Sequence, residues 1–274
     1  MQIGCCAPGN LRANMKDNLL AAYEAVRLAG YDYLEASCPM IMALSDEEVT
    51  EMERLREEGV FALAGCNSFI PKTFRICQAE QLPALEEYVT NLFSRLQRLG
   101  AEFVVFGSGD ARRLETEESV KAEPTRPAST SAQLSALDDF LKMCDEKAGP
   151  AGLTVVIEPL HKGETNTFNT VGAAAAWARK LNLEHVKLLA DAFHTFKEGE
   201  NLLVLEENAD LLRHIHVAAV PERGCPGPEG DEYLREFAGH LHEARYQGRV
   251  SIECIYRDFE REIKEANSFM REIF

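Results

Sequence analysis

Residues 153–164 read LTVVIEPLHKGE and residues 186–194 read VKLLADAFH. Each stretch opens on a short apolar run and stops on an acid, Glu158 in the first and Asp191 in the second. Between them, residues 171–181 (VGAAAAWARKL) are rich in helix formers. Strand, helix and strand within a span of about thirty residues form the unit of a parallel sheet, whose neighbouring strands need a helical crossover.

The same rhythm continues in both directions. Toward the N-terminus the pattern predicts strands over 2–6, 31–36, 60–65 and 102–106, with helices over about 16–28, from Ser45 onward and over about 82–99. SDEE at 45–48 reads as an N-cap with acids in the first turn. Gly30 and Gly100 read as helix stops. Residues 114–131 are polar with two prolines and read as a loop, after which a helix over about 132–147 restores the rhythm. Toward the C-terminus come a helix around 201–207, a strand over 213–218, a helix near 229–245, a strand over 250–254 and a last helix over 259–274. Eight βα units in 274 residues predict one closed (β/α)8 TIM barrel, a single domain over 1–274. A doubly wound open sheet often carries a glycine-rich phosphate turn after its first strand, where this chain reads CCAPGNLRA. No GxxxxGK[ST] occurs either.

The formal net charge of −16 argues against a partner whose phosphates must be neutralised, so neither nucleic acid nor an anionic membrane is expected. No apolar run approaches the ~20 residues of a membrane helix. The N-terminal MQIGCCAPGN lacks the pattern of a signal peptide, so a cytoplasmic protein is expected. The eight cysteines show no CxxC pair and read as free thiols, mostly small core residues.

Barrel active sites lie at the C-terminal ends of the strands. The fifth run ends on Glu158, the sixth on Asp191 and the eighth on Glu253, while His216 lies along the seventh, HIHV at 214–217. A single acid after a strand is commonly a helix N-cap, and a single strand histidine is commonly a core residue. Four such groups converging at one barrel mouth would repel or stay unpaired without a cation. Three carboxylates and an imidazole suit Mn, Co, Mg or Zn as the divalent metal ion. Such an ion polarises a carbonyl and acidifies the adjacent C–H, with Glu158 and Glu253 placed as general acid and base. This chemistry suits isomerisation or epimerisation of a hydroxy-ketone.

In these segments the chain resembles the xylose-isomerase-like barrel superfamily of sugar and sugar-phosphate isomerases and epimerases. The likeness is carried by GYDYLEAS (30–37), VVFGSGDARR (104–113), VVIEPLHKGETNTFNT (155–170), LLADAFHTF (188–196), HIHVAAVPERGCPG (214–227) and SIEC (251–254). Resemblance to its ketose 3-epimerase branch implies Glu158, Asp191, His216 and Glu253 as metal ligands, with Glu158 and Glu253 as the acid/base pair. It also implies substrate contacts at Glu164, His194 and Arg223, the last slightly farther from His216 than is usual in that branch. Glu35, ending the second strand, is a further pocket candidate. Arg112, Arg113 and Lys162 are candidates for holding a phosphate, were the sugar phosphorylated. A homo-oligomer is expected by the same analogy. The resemblance leaves open a keto-inositol-type dehydratase on the same site and a sugar-binding barrel without turnover. A trinuclear-zinc endonuclease, a further branch, is disfavoured by Asn67, Ser108 and the Cys-Pro-Gly after the seventh strand, which stand where that branch needs more ligands.

Overall fold

The computed structural model describes residues 1–9, 14–116, 129–228 and 231–274. Eight parallel strands close on themselves in chain order, β1 pairing with both β2 and β8. The elements run β1 (Gln2–Cys6), α1 (Met15–Leu28), β2 (Tyr33–Ser37), α2 (Cys38–Met42), α3 (Asp46–Glu57), β3 (Gly65–Asn67), α4 (Leu82–Leu99), β4 (Phe103–Phe106) and α5 (Thr130–Ala151). They continue with β5 (Thr154–Ile157), α6 (Val171–Leu181), β6 (Val186–Asp191), α7 (Ala192–Glu198), α8 (Leu203–Glu207), β7 (Leu212–Val217), α9 (Glu232–Glu243), β8 (Arg249–Ile252) and α10 (Phe259–Ile273). This is the TIM barrel expected from the sequence.

Local signals set many boundaries. Ser45 and Glu48 form a reciprocal capping box at the start of α3. Gly100 ends α4 in the left-handed region at φ 80°, which glycine adopts without a Cβ clash. Two short helices, α2 and α7, follow their strands directly where the sequence suggested loop. The third strand pairs only from Gly65 onward, rather than over 60–65. Gly65 is required there, because a Cβ would lie 2.4 Å from the Phe103 ring. Most of the loop expected over 114–131, and the first residues of the helix expected from 229, fall outside the described residues.

Two apolar layers follow from the pleat. Ile3, Leu34, Val104, Val155, Ile157, Leu188, Ile215, Val250 and Ile252 face the helices in one large core. Tyr33, Phe103, Val105, Val156 and Leu189 form a smaller core inside the barrel. Alternation then carries inward the residues two positions beyond, namely Glu35 after Tyr33, Glu158 after Val156 and Asp191 after Leu189. On β7 a bulge resets this phase: Leu188 pairs with Leu212 but Leu189 with His214. Arg213 is thereby left exposed, and His214 and His216 point into the barrel.

Candidate active site

At the C-terminal mouth, Glu158, Asp191, His216 and Glu253 each offer a ligand atom, all within 4.8 Å of one another. His216 Nδ1 lies 3.4 Å from both Glu158 Oε1 and Glu253 Oε2. Asp191 has two tasks. Its Oδ1 accepts the backbone N–H groups of Phe193 (2.6 Å) and His194 (3.1 Å), capping α7. Among the described residues its Oδ2 has no hydrogen-bond partner, nor do Glu158 Oε1 and His216 Nδ1, although all three atoms are buried. Buried polar atoms left unsatisfied are costly. Three of them aimed at one point fit a divalent cation, and the oxygen-rich set with one imidazole suits the hard-to-borderline ions.

Burial works against charge on His216, but Glu35 and Glu253 outweigh it and raise the imidazole pKa well above its ordinary value. In the metal-free protein a proton therefore stands where a cation would bind, and the two compete. The two glutamates are driven apart. Burial, reinforced by the charge of Glu253, raises Glu158. Glu253 is also buried, but His216 and Arg223 overcome that and hold it below the usual carboxylate range. Arg223 Nη2 donates to Glu253 Oε2 at 2.6 Å, and Asn67 Nδ2 donates to Glu253 Oε1 at 3.3 Å. The other branch of the guanidinium reaches Glu164 Oε1 at 3.4 Å, and Phe193 lies beneath it with 5.0 Å to the ring centre. His194 is buried, with Nε2 unpartnered. Glu164, His194 and Arg223 thus lie near Glu158, Asp191, His216 and Glu253.

Glu35 does not line the pocket. It is fully buried inside the barrel, and its carboxylate accepts from His214 Nε2 (2.8 Å), His216 Nε2 (3.0 Å) and Ser251 Oγ (2.8 Å). Arg112 is no phosphate ligand either. It is fully buried between Phe106 and Phe168 and donates to the carbonyls of Phe106 (3.0 Å) and Glu158 (2.8 Å). Arg113 donates to the Glu164 carbonyl, and Lys162 pairs with Glu198 at 2.8 Å. The reading from sequence missed His161, which packs on His194, and Asn67, which supports Glu253. Asn67 is the last residue of β3 and His161 follows β5, and this nearness to strand ends is the one signal that marked them. Adjacent Cys5 and Cys6 are both buried, free thiols. Burial raises the Cys6 pKa well above normal, so in the metal-free protein it is a neutral thiol beside His216.

A barrel with acids and a histidine at its mouth defines a class, and comparison with known proteins agrees. A family profile described as xylose isomerase-like TIM barrel matches residues 23–273, and the chain belongs to that family. It is 24% identical over 244 residues to 3-dehydro-D-guloside 4-epimerase of Escherichia coli (strain K12), covering 88% of this chain and 89% of that one. It is 25% identical over 260 residues to ketose 3-epimerase of Arthrobacter globiformis, covering 92% and 83%. Among solved structures, the apo form of 3-keto-D-glucoside 4-epimerase from E. coli shares the fold at TM-score 0.80 and 20% identity over 99% of both chains. D-allulose 3-epimerase from Methylomonas sp. in complex with D-allulose does so at TM-score 0.79 and 16% identity, over 100% of this chain and 97% of that one. By kinship with these epimerases the chain is an enzyme of the isomerase class. No described helix is long and apolar enough to cross a membrane.

Proposed function

We propose that the protein is a divalent-metal-dependent epimerase or isomerase of a ketose or related keto-sugar. The observation that carries this reading is the convergence of unpartnered Glu158 Oε1, Asp191 Oδ2 and His216 Nδ1, with Glu253 beside them. A bound divalent ion would supply Lewis-acid polarisation of a carbonyl there. Glu158, Asp191, His216 and Glu253 would hold it.

The protein's own groups carry the proton. Glu253, kept ionised by Arg223 and His216, is the natural base toward a C–H next to the carbonyl. Glu158, just past the end of β5 and the carboxyl with the raised pKa in the metal-free protein, is the natural acid. Epimerisation in the reverse sense exchanges these roles. Arg223 supplies a fixed positive charge near developing negative charge on oxygen, and Glu164 and His194 hold hydroxyls. The names of sugar epimerases similar to this chain support the substrate class.

The test is deuterium uptake in D2O. Metal-stripped protein is reloaded with Mg2+, Mn2+ or Co2+ and offered a panel of free ketoses, keto-glycosides and ketose phosphates. Metal-dependent exchange at one carbon, abolished in both Glu158→Gln and Glu253→Gln, is the expected result. An enone or dione product would instead indicate a dehydratase. Tight sugar binding without exchange, unaffected by Glu253→Gln, would indicate a binding protein.

A further inference from the structure

Beside the proposed metal ligands lies His161, a residue the mechanism above does not use, grouped with Glu164 and His194. Its ring stacks on His194 with centroids 5.1 Å apart and planes at 24°, and it meets the edge of Phe193 at 5.8 Å. Room for it comes from Gly163, where a Cβ would lie 2.8 Å from His161 Nε2. His161 approaches His194 twice. Its backbone N–H donates to His194 Nδ1 at 3.2 Å, and its own Nδ1 lies 2.9 Å from the same atom.

These two contacts decide where the protons are. An imidazole nitrogen that accepts an N–H carries no hydrogen, so neutral His194 has its proton on Nε2. His161 Nδ1, facing the same lone pair, must be the donor. Nε2–H of His194 then remains a buried donor with no partner among the described residues, on a residue 2% exposed. Glu164 Oε1, 3.6 Å from His161 Nδ1, stands on the other side and also takes Arg223.

We propose that His161 is a positioning residue for the substrate. Through its paired contacts it fixes the ring and tautomer of His194, so that the Nε2–H donor is held ready for a substrate oxygen. The proposal deepens the epimerase reading and rests on it for the identity of that oxygen, though not for the tautomer. The same three side chains also stand close enough to hold a metal ion. The backbone N–H on His194 Nδ1 argues against that use through Nδ1, since a metal there would need the same lone pair.

The test separates tautomer from turnover. Full-length protein with 15N-labelled histidine is studied by long-range 1H–15N correlation with Mg2+ bound and no sugar. His194 is expected to show a single Nε2–H tautomer. His161→Phe keeps a ring against His194 and Phe193 but removes the donor, and His161→Ala removes both. The backbone N–H of residue 161 remains in both variants, so each is expected to keep a majority Nε2–H form but to admit an Nδ1–H fraction absent from the parent, seen as shifted His194 15N signals. On whichever ketose the parent epimerises, kcat/KM is expected to fall about 10-fold, mainly through KM, as for a lost hydrogen bond in uniform binding.

An Nδ1–H tautomer in the parent, or unchanged His194 signals in both variants, overturns the proposal. So does a second Zn2+ retained per chain by the parent and lost in His161→Phe, because the pair would then be metal ligands. If the parent turns over no sugar, the epimerase reading fails while the tautomer measurement still decides this one. If it does, unaltered kinetics in both variants overturn the proposal alone.

Discussion

Glu35 on β2 and His216 on β7 meet inside the barrel, with Oε1 3.0 Å from Nε2. Burial alone would raise the Glu35 carboxyl, but His216 and His214 pull its pKa far below the ordinary range, so it is an anion. An anion on Nε2 keeps the proton there and leaves Nδ1, on the opposite edge of the ring, free to bind metal. This is the carboxylate–histidine pairing that supports metal-ligating imidazoles. Glu35→Gln is expected to weaken divalent metal binding by about 10- to 100-fold. Titration calorimetry on the stripped protein would measure it, and equal affinity in variant and parent would remove Glu35 from this role.

The two oxygens of Asp191 can be tested separately. Asp191→Asn keeps an oxygen for the backbone N–H groups of Phe193 and His194 while removing the charge from the metal side. Its stability is expected to stay near the parent's while metal affinity drops. Asp191→Ala loses the cap as well and is expected to cost about 1 kcal/mol more. Urea unfolding of the metal-free proteins would show whether the two losses separate.

Gly107 follows β4, and a Cβ there would lie 2.3 Å from Glu158 Oε2. Gly107→Ala must therefore move the proposed acid. The expected outcome is a loss of about 100-fold in proton exchange, the scale of a 1 Å misplacement. Circular dichroism would check that the barrel persists. Full activity would mean that Glu158 tolerates displacement.

Arg112 holds the ends of β4 and β5 together through the carbonyls of Phe106 and Glu158. Burial pulls its guanidinium down to about 9, against the charges of Glu158 and Glu164. Arg112→Met takes the Arg112 donor from the Glu158 carbonyl and leaves the Phe106 carbonyl with only the Glu158 backbone N–H, and is expected to destabilise the fold by about 2 kcal/mol. Denaturant unfolding measures this, and a neutral effect would contradict the structural assignment.

Acid stability follows from the same network. Glu35 and Glu253 both have depressed pKa values in the fold, so the unfolded chain takes up more protons as pH falls. Their stabilisation is present above the unfolded value of about 4.3 and is lost below it. His216, raised in the fold, has the opposite sign: its contribution is complete below about 6.5 and fades as pH rises beyond that. Metal-free protein is expected to lose stability steeply below about pH 4.5, and Glu35→Gln less steeply. Identical slopes in urea melts at several pH values would show that Glu35 does not titrate as argued.

The barrel was legible in the sequence because its signals are local. Apolar runs, the Ser45–Glu48 capping box and Gly100 each act within a few residues, and eight repeats of one unit leave few ways to close a sheet. The strand-end acids were legible too, since pleat alternation places Glu158 two residues beyond inward Val156 and Asp191 two beyond Leu189. What tertiary structure alone decided concerns partners far apart in the chain. Glu35 reads as a pocket acid until His214 and His216 arrive from β7, whose phase a bulge resets. Arg112 reads as a loop arginine that could hold a phosphate until the Phe106 and Phe168 rings close over it. His161 gains meaning only from His194, 33 positions away. Propensity and periodicity act between neighbours in sequence, whereas the burial and pairing of a charge depend on which strands the closed barrel brings together.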